Sequence, residues 1–274
     1  MLAIQWHKGT TMTDSIEFLE MHLTSEDRKK LGKEVTSAFL VLALAADEIM
    51  QLQHLWLMSM EPHPDHPAFR KVARARSHML LRMLNLKVVE AVNAQGGFQK
   101  ALGRRYNKKP LSEIKTSISE IWRRRTKQFT DSEYFVLAKY MRNHLGGHCP
   151  TSEVEKWLDN ISSSSEERFL FHRTKANSVF PAVDDMVFGA FLNTQFVEAY
   201  GSGTPQEKFE GYLKWLAPAA NHVVNAFHEM AGEIFIRLLN KARDNLVQYS
   251  CDEEFIADSA KMKLPLMYLR QDDR

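Results

Sequence analysis

The spacing of apolar residues limits the fold of this chain more than any other feature. Over residues 34–60, Phe39, Leu42, Ile49, Leu52 and Trp56 recur at the intervals of a single helix face. The run stops at Glu61-Pro62-His63-Pro64-Asp65-His66-Pro67, where prolines forbid further helix. A second long helix is predicted over 68–94, with Val72, Met79, Met83, Leu86 and Val89 turned inward and Gln95-Gly96-Gly97 as its stop. Shorter helices are expected over 112–127, from an Asp131 cap to Leu145, from Thr151 through Leu158, and over 167–175, 182–199 and 205–215. A long one follows over 218–247. Residues 14–31 read as one or two short helices, and 104–110 as a basic loop. Strand-like alternation is nearly absent, and no repeat of fixed period occurs. The expected fold is all-α: an antiparallel helical bundle with additional peripheral helices. Its expected boundaries are an N-terminal extension (1–33), the bundle (34–249) and a C-terminal tail (250–274).

The apolar run 38–46 is too short to span a bilayer and leads into Asp47 and Glu48. Residues 1–13 carry no apolar signal core. The two cysteines, Cys149 and Cys251, form no CxxC pair, so neither a disulfide framework nor a cysteine zinc site is indicated. A reduced, cytoplasmic setting without membrane contact is the expectation.

Charge is uneven. The chain carries a net charge of only +2, yet residues 70–127 hold 16 Lys or Arg against 3 acids. Such asymmetry suggests a polyanionic partner for the basic stretch. The same charges could instead coat solvated faces or pair with the acidic remainder. Within the stretch, Arg104, Arg105, Lys108 and Lys109, and the run Arg123-Arg124-Arg125, are the candidate RNA-backbone contacts. Three arginines near a helix C-terminus also suit its dipole.

At 142–148 a helix-forming stretch runs into Arg142-Asn143-His144-Leu145-Gly146-Gly147-His148. A guanidinium offers a planar fork of donors that fits phosphate oxygens, and an imidazole can exchange a proton near neutrality. Two glycines permit close approach of backbone or substrate. An arginine and a histidine separated by five residues at a helix break, after two long helices and a basic segment, resemble the signature of the HEPN (higher eukaryotes and prokaryotes nucleotide-binding) superfamily, in its abortive-infection-like branch. The matching residues are Arg142, Asn143 and His148.

That resemblance implies a homodimer joining two motifs over one cleft, RNA or a nucleotide as ligand, and RNA cleavage without metal or cofactor. It points to a toxin or antiviral defence role, with an antitoxin among the partners to look for. In such a reaction a ribose 2′-hydroxyl attacks the adjacent phosphate. His148 would transfer the proton, Arg142 would neutralise charge on the phosphoryl oxygens, and Asn143 would position phosphate or imidazole. His144 is a second candidate for proton transfer. The alternatives are a non-catalytic nucleotide- or RNA-binding module, or a structural, partner-binding helical protein. The first keeps the fold and Arg142 but lacks a working cleft; where the motif is only a packing element, Arg142 caps a helix or pairs with an acid, and His148 satisfies a last-turn carbonyl.

Other clusters carry less. His63, Asp65 and His66 lie among prolines that favour a rigid turn. His222, Asn225, Glu229 and Glu233 share one helix face. A bundle di-metal centre needs Glu-x-x-His pairs on two helices, so a solvated or interface face is the expectation there. Asp184 and Asp185 suit a first helical turn, and Phe188, Phe191 and Phe196 a core.

Overall fold

A computed structural model describes residues 15–59, 67–106, 111–145, 151–159, 204–241 and 246–250. The fold is all-α. Its helices are α1 (Ser25–Leu31), α2 (Lys33–Ser59), α3 (Pro67–Arg105), α4 (Leu111–Thr130), α5 (Glu133–Leu145), α6 (Thr151–Leu158) and α7 (Pro205–Gly232). A π-helical turn, Glu233–Leu238, extends α7. Among the described residues the one departure from helix is a two-stranded antiparallel ribbon, β1 (Ser15–Leu19) with β2 (Leu246–Ser250), in the register Ser15↔Ser250 to Leu19↔Leu246. The expectations at 60–66, 107–110, 146–150 and 160–203 lie outside the described residues, as does the tail beyond 250.

α2 and α3 pack along their length, and α7 closes the layer against α2, α3 and α4. Phe39 of α2 marks the centre: its ring lies 6.0 Å from Phe98, 5.6 Å from Phe227 and 6.2 Å from Phe235. Rings of this size at these separations contribute both apolar burial and favourable aromatic geometry. By length and composition α2 could cross a membrane. In this fold it is a bundle helix, with Val35, Phe39, Leu42, Ala45, Ala46 and Ile49 buried. On its flank, burial works against the charge of Lys87, but hydrogen bonds to Glu48 and Glu90, each at 2.9 Å, outweigh it and raise the amine's pKa.

Several boundaries differ from expectation. α3 does not stop at Gly96-Gly97 but continues to Arg105, because Phe98, Ala101 and Leu102 are buried beyond the glycines. That burial exceeds the helix-propensity cost of about 1 kcal/mol per glycine. Before the glycines, α3 buries Val72, Leu80, Leu81, Leu84, Val88, Val89 and Ala91, whereas Leu86 is half-buried and Met79 and Met83 are exposed. The two helices expected over 205–215 and 218–247 are one, with Pro218 inside it. Leu216, Ala219, Ala220 and Val223 are fully buried and hold that helix through the missing Pro218 N–H. It ends earlier than 247, at the π-helical turn and Asn240, whose φ is +59°. Of the residues expected as two short helices, Ser15–Leu19 is strand and Ser25–Leu31 helix. Leu31 joins the main core, completely buried.

Candidate functional site

α5 carries the Arg142 motif, and its placement rests on one buried amide. Asn85 of α3, 1% exposed, donates from Nδ2 to the carbonyl of Ala138 at 3.1 Å. The buried Tyr212 hydroxyl of α7 donates to Asn85 Oδ1. Phe135, Ala138 and Met141 turn inward on the same stripe. The cap differs from expectation: the hydroxyl of Ser132, rather than Asp131, accepts the N–H of Tyr134, at 3.1 Å.

This arrangement leaves Arg142 and Asn143 exposed at the C-terminal end of α5. Arg142 donates from Nη1 to Asn143 Oδ1 at 3.1 Å. The amide oxygen carries no charge, so it restrains the guanidinium without forming an ion pair with it.

His144 stands elsewhere. Two residues advance a helix by about 200°, so it leaves the far side from Arg142. Its ring stacks on Tyr140, with centroids 3.8 Å apart, and its Nδ1 lies 2.9 Å from the Tyr140 carbonyl. A carbonyl only accepts, so Nδ1 carries the hydrogen and Nε2 is the nitrogen able to take a proton. His148 lies outside the described residues.

The basic candidates do not gather around Arg142. Arg104 and Arg105 are the last turn of α3, not a loop; Lys108 and Lys109 lie outside the described residues. Arg104 pairs with Glu34 of α2. From Asn85 to Arg104 the helix advances roughly 28 Å, which puts this end of α3 far from its contact with α5. Arg123 is exposed, but Arg124 and Arg125 both bind Glu229 of α7, Arg125 Nε at 2.9 Å from Oε1. The face of His222, Asn225, Glu229 and Glu233 is thus partly an arginine-binding face. Glu233 pairs with Arg237, and the His222 ring lies parallel to Phe129. Among the described residues no group of three or more His, Cys, Asp or Glu is positioned for a metal ion.

Together these elements define an all-α bundle that presents an arginine–asparagine pair at a helix end. Compared with family models, with curated proteins and with solved structures, the chain matches none.

Proposed function

We propose that the protein is a HEPN-like endoribonuclease that acts as a homodimer without a metal, in a toxin or defence setting. The supporting observation is the exposed Arg142–Asn143 pair, held at 3.1 Å at the end of α5, directly before Gly146-Gly147-His148. In this reading Arg142 meets the scissile phosphate and offsets the charge that grows on its oxygens as the 2′-hydroxyl attacks. Asn143 orients the guanidinium, and His148 passes the proton between the attacking hydroxyl and the departing 5′-oxygen. His144 holds its Nδ1 on Tyr140, which leaves Nε2 as a secondary proton acceptor.

A non-catalytic RNA- or nucleotide-binding module, or a structural partner-binding protein, is the second reading. It draws support from the pairing of Arg104, Arg124 and Arg125 with the chain's own carboxylates, which shortens any basic track. Incubation with single-stranded and structured RNA in EDTA separates the two. Nuclease action predicts products ending in 2′,3′-cyclic phosphate that vanish in Arg142→Ala and His148→Ala while helical content is retained. RNA that is bound but left intact by the unaltered protein rejects the nuclease in favour of the module.

A further inference from the structure

We propose that the junction of α1 and α2 binds a phosphate group. The junction turns on Gly32, with φ at +82°, a value that side-chain-bearing residues rarely adopt. Its N–H closes α1 on the Arg28 carbonyl at 2.9 Å, and its own carbonyl accepts the N–H of Thr36 at 3.0 Å to open α2. Gly32 therefore stands where α2 needs a cap and has no side chain to accept from the first-turn N–H groups. The positive end of a 27-residue helix is left facing solvent.

The surroundings add positive charge instead of cancelling it. The acid in the first turn of α2 is Glu34, and Arg104 takes it. Arg28, Lys29 and Lys33 line an open depression of about 470 Å³ at the junction, together with the hydroxyls of Ser25 and Ser37. Arg105 of α3 lies against Gly32 at its edge: a Cβ built on Gly32 would lie 3.3 Å from its Nε and 3.5 Å from its Cζ. Among the described residues, none of these four cations has a carboxylate within 4 Å. The C-terminus of α1 accounts for Arg28 and Lys29, since it attracts cations. It does not account for Lys33 and Arg105, which crowd the opposite pole of a second dipole.

Thr36 is the independent sign of a ligand. It lines the same depression, is 7% exposed, and its hydroxyl has no hydrogen-bond partner. A buried hydroxyl without a partner is costly, and one in the wall of a depression shared with Arg28, Lys29 and Lys33 fits a ligand rich in acceptors. A phosphate supplies acceptor oxygens in several directions and the negative charge that this helix end lacks. Its source is a free phosphate or mononucleotide, or the phosphorylated end of an RNA. The site lies at the C-terminal end of α3, roughly 28 Å along the helix from Asn85, and does not rest on the nuclease reading.

The test measures binding of inorganic phosphate to the full chain by calorimetry, with chloride at equal ionic strength as reference. Phosphate binding is expected in the unaltered protein, weakened about tenfold or more in Lys33→Gln and in Arg28→Gln. Thr36→Val, which removes the hydroxyl at nearly constant shape, is expected to weaken it while thermal stability is retained. Lys214→Gln, an equal charge change on the exposed side of α7, is expected to leave it unchanged. Competition by a 5′-phosphorylated, but not a 5′-hydroxyl, oligoribonucleotide assigns the site to an RNA end. Competition by a mononucleotide alone assigns it to the small ligand. No preference for phosphate over chloride, or equal losses in Lys33→Gln and Lys214→Gln, overturns the proposal.

Discussion

Tyr212 donates its phenolic hydrogen to Asn85 Oδ1, and the same amide donates to the Ala138 carbonyl, so three helices meet at one buried side chain. Burial pushes the Tyr212 pKa up, which keeps it a neutral donor. Tyr212→Phe leaves the Asn85 oxygen buried and unpartnered, an expected loss of about 1–3 kcal/mol. Asn85→Leu is expected to destabilise as well, and the double variant to cost clearly less than the two losses added, because each change removes the other's partner. Urea unfolding of all four proteins checks this. Strict additivity would mean that the two groups do not interact.

Glu229 holds Arg124 and Arg125, and this sets how much of the basic stretch is free to meet a polyanion. The pair is partly exposed, so Glu229→Gln is expected to cost only about 1 kcal/mol of stability. Its effect on RNA binding should be larger. Releasing two guanidiniums is expected to raise affinity at low salt and to steepen the dependence of log K on log salt by up to about two. Fluorescence anisotropy over a salt series measures that slope. A slope identical to that of the unaltered protein would mean the arginines do not reach RNA even when released.

Which parts of the fold were readable from sequence follows from which interactions are local. The face of α2 repeats Phe39, Leu42 and Ile49 at helical spacing, and all three are buried. α3 is apolar on more than one side, so its phase is ambiguous: Met79 and Met83 fit the spacing as well as Leu80 and Leu84 do, and only packing against α2 and α7 separates them. The continuation past Gly96-Gly97 depends on Phe98 meeting Phe39, 59 positions earlier in the chain, which no local signal encodes. The β1–β2 ribbon pairs Ser15 with Ser250 and lacks any hairpin turn to announce it.

At the candidate site, the exposed end of α5 is legible in the helical spacing of Phe135, Ala138 and Met141, all buried, followed at once by the polar Arg142 and Asn143. The partners of the arginines are not, because Glu34 and Glu229 arrive from other helices. The cations around Gly32 are a different case. Arg28, Lys29 and Lys33 flank a glycine within six positions, a visible signal that gains meaning only when Arg105 and Thr36 are brought beside it.

Asp27 ties α1 to the end of the α7 extension. Lys241 Nζ lies 2.7 Å from its Oδ2, and the N–H and hydroxyl of Thr24 donate to the same oxygen at 2.8 and 2.7 Å. Lys241 first, then Thr24, hold the carboxyl pKa down to about 2 from an ordinary 3.8. A carboxylate with a depressed folded-state pKa adds stability above its ordinary value and loses it as pH falls toward the lower one. The thermal midpoint of the unaltered protein is therefore expected to drop more steeply between pH 4 and pH 2 than that of Asp27→Asn. Lys241→Met should flatten the curve in the same window. Parallel curves for all three proteins would remove Asp27 as a source of acid sensitivity.

Gly211 faces Tyr134 so closely that the α5–α7 contact depends on the missing methyl. A Cβ at Gly211 would lie 2.2 Å from the Tyr134 hydroxyl oxygen and 3.1 Å from Cζ. Within a helix, alanine is favoured over glycine by about 1 kcal/mol, so propensity alone predicts that Gly211→Ala stabilises α7. The clash opposes this, and the tyrosine ring cannot simply swing clear. It packs near Tyr212 and Trp215, with centroids 6.4 and 6.3 Å away. Gly211→Ala is expected to be net destabilising, by about 1–3 kcal/mol, as overpacking generally is. In a Tyr134→Leu background the hydroxyl and ring are gone, and the same change should become neutral or stabilising. Chemical denaturation of the four proteins measures the sign change directly. A Gly211→Ala that stabilises with Tyr134 present would show that α5 gives way at this contact, and with it the helix end that presents Arg142.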